Sequence, residues 1–161
     1  MEGREDFKIP QEAIEKLRDP DVIRRYVAEG KTFQEIIGYS DEAMEKFYMI
    51  ARGLFEKQLY GPSADAFVFL TTLNPYVHNF WLGLGMAEQK NEEFEAALVA
   101  YGMASMTEPK NPMALFYSSH CYYLMGDYAG GVSMLDRVIK RCANNDELAA
   151  LKKDAEQARK H

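Results

Sequence analysis

The sequence predicts an all-α chain: a solenoid of three helical hairpins, preceded by N-terminal helices and closed by a C-terminal capping helix. Three observations carry this. A pattern of apolar and small residues recurs at one fixed spacing, from Phe47 to Trp81 to Leu115, without an insertion. Nearly every segment is rich in Ala, Leu, Met, Glu, Lys and Gln, the residues that favour helix. No stretch alternates apolar and polar residues between turn signals, as a half-buried strand would. The longest apolar run, Ala66 to Thr72, continues into Leu73-Asn74-Pro75 and reads as a helix ending before a proline.

The chain has 161 residues, a size suited to one domain or a short repeat array. Its net charge of −6 argues against nucleic acid as a partner, which requires a basic face. No apolar run approaches the roughly 18 residues of a membrane span, so no direct membrane insertion is expected. The polar start, MEGREDFKIPQEAIEK, carries no secretory signal. Cys121 and Cys142 form neither a disulfide framework nor a zinc pattern. Together these features predict a cytoplasmic protein with no metal and no cofactor.

Residues 1–43 are expected to be an N-terminal helical segment. Asp19-Pro20 is an N-cap with proline at the first helical position. Thr32 and Glu35 have capping-box spacing, Gly38 ends that short helix, and Ser40 caps the next with Asp41 and Glu42 in its first turn. Ile14, Leu17, Val22, Ile23, Tyr26 and Val27 lie on otherwise charged helices, and this segment is the expected homodimer contact.

Residues 44–143 hold 18 charged side chains and 16 of the 20 aromatics, whereas the 61 flanking residues hold 26 charges. The low-charge centre is where the repeat lies. Trp81, Leu84 and Gly85 are followed by Ala97, Tyr101 and Pro109. This is the tetratricopeptide pattern, W-x2-L-G, then A-x3-F, then P, each unit a helix–turn–helix of about 34 residues. One step back are Phe47, Ile50, Ala51, Ser63, Phe67 and Pro75; one step forward are Leu115, Ser118, Ser119, Gly131 and Leu135. Tyr60, Phe94 and Tyr128 repeat with the same spacing in the second helices. The units are 44–77, 78–111 and 112–145. Residues 146–161 follow as a capping helix with the stripe Leu148, Leu151, Ala155 and Ala158. Gly85, Ala51 and Ser119 are small where paired helices approach, and Phe47, Trp81 and Leu115 fill the space between repeats. Glu88 departs from the pattern, standing where Tyr is usual.

The first helix of each unit lines the concave side of such a stack. The positions one, five and eight after the Trp-type anchor face it and are not needed for packing. They are Tyr48, Arg52 and Phe55; Leu82, Met86 and Gln89; Phe116, His120 and Tyr123; with Asn79 one turn earlier. An exposed lining of Tyr, Phe, Leu and Met calls for a cover. That cover is an extended, partly apolar peptide or a terminal flank of the chain itself. A carboxylate-clamp groove would need several cations, and only Arg52, with His120 as a weak second, is available.

No catalytic residue is assigned. His120 and Cys121 are adjacent, but helical neighbours point about 100° apart and cannot act as a base–nucleophile pair. The sequence has no phosphate loop and no H-E-x-x-H.

Gly30-Lys31-Thr32, Ile36-Ile37-Gly38, Ser40, Met44 to Tyr48, Ala51, Phe55 and, most densely, Phe80-Trp81-Leu82-Gly83-Leu84-Gly85 resemble the class II chaperones of type III secretion systems. The resemblance continues through Phe94, Ala97 and Tyr101 and extends over about two thirds of the chain, including the helix before the repeats. It implies a non-enzymatic bacterial cytoplasmic chaperone. Such a protein binds hydrophobic translocators through an extended N-terminal segment and keeps them soluble, apart and secretion-competent. It also implies that Tyr48, Phe55, Tyr60, Leu84 and Tyr101 occupy groove or groove-supporting positions, and that the chain forms a homodimer. Arg52 departs from the apolar residue common there. The alternative is a general tetratricopeptide scaffold with another peptide partner.

Overall fold

The computed structural model describes residues 11–161; the helical expectation for residues 1–10 lies outside them. The helices are α1 (Gln11–Arg18), α2 (Pro20–Ala28), α3 (Phe33–Ile37), α4 (Asp41–Glu56), α5 (Tyr60–Leu73), α6 (His78–Lys90), α7 (Phe94–Thr107), α8 (Met113–Leu124), α9 (Tyr128–Cys142) and α10 (Ala149–Arg159). A 3-10 turn, Asp146–Leu148, leads into α10. There is no strand among the described residues.

The caps are those the sequence indicates. The Asp19 carboxylate accepts from the Asp21 N–H, and Thr32 and Glu35 form a reciprocal capping box. Gly38 ends α3 at φ 88°, a left-handed conformation that favours glycine, and Ser40 caps α4. Pro62 falls in the first turn of α5, where its missing N–H costs nothing. Asn145 caps the 3-10 turn through the Glu147 N–H.

Helices α4–α9 form three hairpins, α4/α5, α6/α7 and α8/α9, each packed on the next. Their turns repeat too. Gln58 and Glu92 have φ 62° and Gly126 has φ 79°, at equivalent positions of successive hairpins. At each turn a backbone N–H reaches five residues back: Leu59 to Leu54, Glu93 to Glu88 and Asp127 to Tyr122.

The core runs along the stack in three clusters. The first contains Met44, Phe47, Phe67, Leu70, Phe80 and Leu84; Leu17 from α1 packs against it. The second holds Ala97, Tyr101, Ala104, Ala114 and Cys121. Trp81 touches both, and its indole N–H donates to the Pro75 carbonyl at 2.7 Å, tying the second hairpin to the end of the first. The third cluster, around Leu115, Leu135 and Val138, is closed by Leu148, Leu151, Ala155 and Ala158, the expected capping stripe.

Small residues set the helix spacing. Ser63 is buried and donates to the Ala51 carbonyl at 2.8 Å. A Cβ on Gly85 would lie 2.5 Å from the Tyr101 ring, and one on Gly131 would lie 2.9 Å from Tyr123. His78, which no sequence pattern singles out, is buried at the start of α6. Its Nδ1 lies 2.9 Å from the Ala104 carbonyl at the other end of the hairpin.

Two anchors are corrected. Ile50, expected to be buried like Leu84, is 43% exposed. In the later hairpins that face is covered by the preceding one; among the described residues, only short helices precede the first hairpin. Tyr128, which shares the repeat position of Tyr60 and Phe94 and is for that reason assigned to packing, is 65% exposed, its ring resting beside Tyr123.

Glu88 brings a penalty to the Tyr position. Partial burial raises its carboxyl above the usual range, and the nearby Glu93 and Asp65 charges raise it further. A raised carboxyl favours the protonated form in the fold, so its ionisation opposes folding above its folded-state pKa. Glu88→Gln is therefore expected to raise the melting temperature at pH 7, with the gain disappearing as the pH falls below the carboxylate range; thermal melts across pH test this.

Replacing Gly85 by Ala gains about 1 kcal/mol of helix propensity but overfills the α6–α7 contact at a cost of about 1–3 kcal/mol. Tyr101 cannot yield readily: it is 1% exposed, and its hydroxyl donates to Gln89 at 2.7 Å. Gly85→Ala is expected to be net destabilising in urea denaturation, by contrast with Ala at Gly53, where a Cβ meets nothing within 4 Å.

Candidate peptide-binding cleft

The concave positions of the first two hairpins converge. Tyr48, Arg52, Phe55 and Glu56 of α4 face Asn79, Leu82, Gly83 and Met86 of α6 across a cleft of about 250 Å³, with Phe67 of α5 at its floor. Six of these residues, Tyr48, Arg52, Phe55, Asn79, Leu82 and Met86, are the ones the sequence singles out. The same side of the helix serves both hairpins because α4 and α6 share one register, a single repeat apart.

The floor explains why the cleft lies there. Phe67 can sit against α6 because residue 83 is glycine; a Cβ there would overlap its ring. One repeat on, Tyr117 stands in place of Gly83 and stacks on Tyr101, the counterpart of Phe67, with ring centroids 5.8 Å apart. The aromatic pair fills the space that glycine leaves free. Gly83 and the floor role of Phe67 escape the sequence reading, which assigns Phe67 to packing alone; the exchange of Gly83 for Tyr117 in an otherwise regular repeat is the available signal.

The walls are ordered by ring contacts. Tyr48 lies edge-on to Phe67 at 6.0 Å and beside Phe80 at 5.8 Å. Arg52 extends over the Tyr48 ring at 5.8 Å. Phe55 meets Tyr60 edge-on at 5.2 Å, so Tyr60 buttresses the wall without lining the cleft. Leu84 and Tyr101 are buried, and Gln89 is held by the Tyr101 hydroxyl. Leu84 and Tyr101 therefore lie behind the concave surface, whereas Gln89 is half-buried and lies outside the cleft lining.

The third hairpin continues the surface without joining this cleft. Phe116 is half-buried with the His120 ring beside it at 5.1 Å, and Tyr123 packs against Gly131. The adjacent Cys121 is buried, and burial pushes its thiol up to about 11 while His120 is exposed. The pair therefore offers no activated nucleophile. Neither described flank occupies the cleft: α1 packs on α2 and α3, and α10 packs on α9. No helix among the described residues is long and apolar enough to cross a membrane.

No family model matches the chain. Over 122 residues it is 25% identical to low calcium response locus protein H of Yersinia pestis, covering 76% of this chain and 73% of that one. Its fold matches that of the type III secretion translocator chaperone SycD of Yersinia enterocolitica with TM-score 0.74 and 23% identity, over 80% of this chain and 96% of that one. It matches PcrH of Pseudomonas aeruginosa, solved with the chaperone-binding region of PopD, with TM-score 0.72 and 23% identity, over 76% and 92%. The chain has the fold of the type III secretion translocator chaperones. The resemblance read from the sequence and the architecture agree on a helical solenoid with helices before the repeats.

Proposed function

We propose that this protein is a bacterial cytoplasmic chaperone of type III secretion. It binds hydrophobic translocator proteins through an extended segment in the concave groove and keeps them soluble, apart and secretion-competent. The observation that carries the reading is the open apolar cleft between α4 and α6, lined by Tyr48, Phe55, Leu82 and Met86, which are only partly buried in the core beside it. Its support from relatives is that PcrH is solved with the chaperone-binding region of PopD and SycD with a peptide of the translocator YopD. The 44–145 repeats form the binding unit in this reading, and the protein acts by binding, without catalysis.

Tyr48→Ala is expected to weaken binding of a translocator N-terminal peptide by about 2 kcal/mol, roughly thirtyfold, as for other central interface aromatics. Phe116→Ala tests whether the peptide continues onto the third hairpin. Titration calorimetry with parallel thermal melts reads both. Trp81→Ala is the control that loses the fold. Full affinity in both groove variants would place the peptide elsewhere.

The homodimer belongs to the same proposal and uses the segment before Tyr39. Val27 is 58% exposed on α2 while Leu17 is committed to the core, so Val27 is the apolar residue free to meet a second copy. Val27→Asp is expected to shift sedimentation toward the monomer without loss of helicity.

A further inference from the structure

The cleft is apolar except at its rim, and the rim holds a cation with unused hydrogen-bonding capacity. Arg52 makes no hydrogen bond to another described residue. Its nearest carboxylate, Glu56, is 4.0 Å away, beyond hydrogen-bond distance, and both side chains are largely exposed, 52% and 71%. An exposed ion pair of this kind contributes little and exchanges readily. The guanidinium also lies over the Tyr48 ring at 5.8 Å, a weak attraction that favours this position at the rim. An arginine presents a planar fork of N–H donors that matches a carboxylate, and this one is about half exposed at the rim. Facing it across the cleft is Asn79, exposed in the first turn of α6, an amide able to bond a passing peptide backbone.

We propose that Arg52 is a specificity-determining residue that reads an acidic side chain of the bound segment. The recognised sequence then has two parts: an apolar anchor that fills the cleft over Phe67, and an Asp or Glu two residues from it on the α4 side. In an extended segment residues two apart project to the same side, about 7 Å from each other, which brings the acid to the rim when the anchor is in the floor. The carboxylate displaces Glu56, whose position at the last turn of α4 places its charge at the negative end of the helix dipole. This inference rests on the groove reading above and adds to it the charge of the ligand.

The test is selection of a phage-displayed library of random dodecapeptides on the full-length protein, on Arg52→Leu and on Tyr48→Ala. The wild type is expected to enrich apolar anchors with an acid at a fixed offset. Arg52→Leu should keep the anchors and lose the acid. A selected peptide is then synthesised with its acid and with Lys in that place. Arg52→Leu should weaken the acidic peptide about fivefold, and Arg52→Glu should restore binding to the Lys peptide, a reversal that damage to the fold cannot produce. Apolar anchors without an acidic preference, or enrichment of a basic residue paired to Glu56, would overturn the proposal and leave the groove reading standing. Absence of an apolar consensus, or one unchanged in Tyr48→Ala, would overturn the groove reading and this proposal with it.

Discussion

The structure depends on close approach between aromatic rings and small residues on facing helices. Helix α6 shows it on two sides. Gly85 receives Tyr101 from its own hairpin, and Gly83 receives Phe67 from the hairpin before. Interiors packed to crystal-like density leave no slack at such contacts, so each one fixes both a distance and a rotation. The contact within the hairpin makes the repeat a unit, and the contact between hairpins sets how the next unit is laid on it. Trp81, bonded to the Pro75 carbonyl and touching two clusters, holds the same junction from the other side.

The cleft follows from that constraint. With Phe80 and Leu84 of α6 committed to the core, Leu82 and Met86 are only partly buried, packing against the second cluster on one side and lining the cleft on the other. The matching face of α4 lies opposite because the two helices share a register. The glycine that lets Phe67 approach also leaves the space above it empty, so one substitution in the repeat produces both a tight junction and a binding floor. At the next junction Tyr117 and Tyr101 stack and the surface closes over. A concave surface made in this way has an apolar cleft between the first two hairpins, and Phe116 and Tyr123 extend the surface on the third.

A chain built from successive neighbours has unlike ends. At the C-terminal end α10 lays Leu148, Leu151, Ala155 and Ala158 on the last hairpin and presents charge outward. At the N-terminal end, Met49 and Ile50 of α4 stay exposed although the counterparts of Ile50 further along, Leu84 and Ser118, are covered. This open face belongs to the first hairpin, next in the chain to the segment proposed to meet a second copy. An exposed apolar face of this kind is a common mark of association.

Much of this is legible in the residues. The insertion-free register places the hairpins, the caps at Asp19, Thr32, Ser40 and Asn145 place the helix starts, and the concave positions of α4 and α6 identify six of the cleft residues, because helical periodicity fixes which side chains share a face. The left-handed turns at Gln58, Glu92 and Gly126 escape the sequence reading; at Gln58 and Glu92 no glycine announces them. What tertiary structure alone decides is depth. Leu84 and Tyr101 belong to the groove by position yet lie behind its surface, while Ile50 and Tyr128 hold anchor positions yet remain exposed. Burial depends on what stands opposite a residue, and periodicity within one helix carries no information about its neighbour.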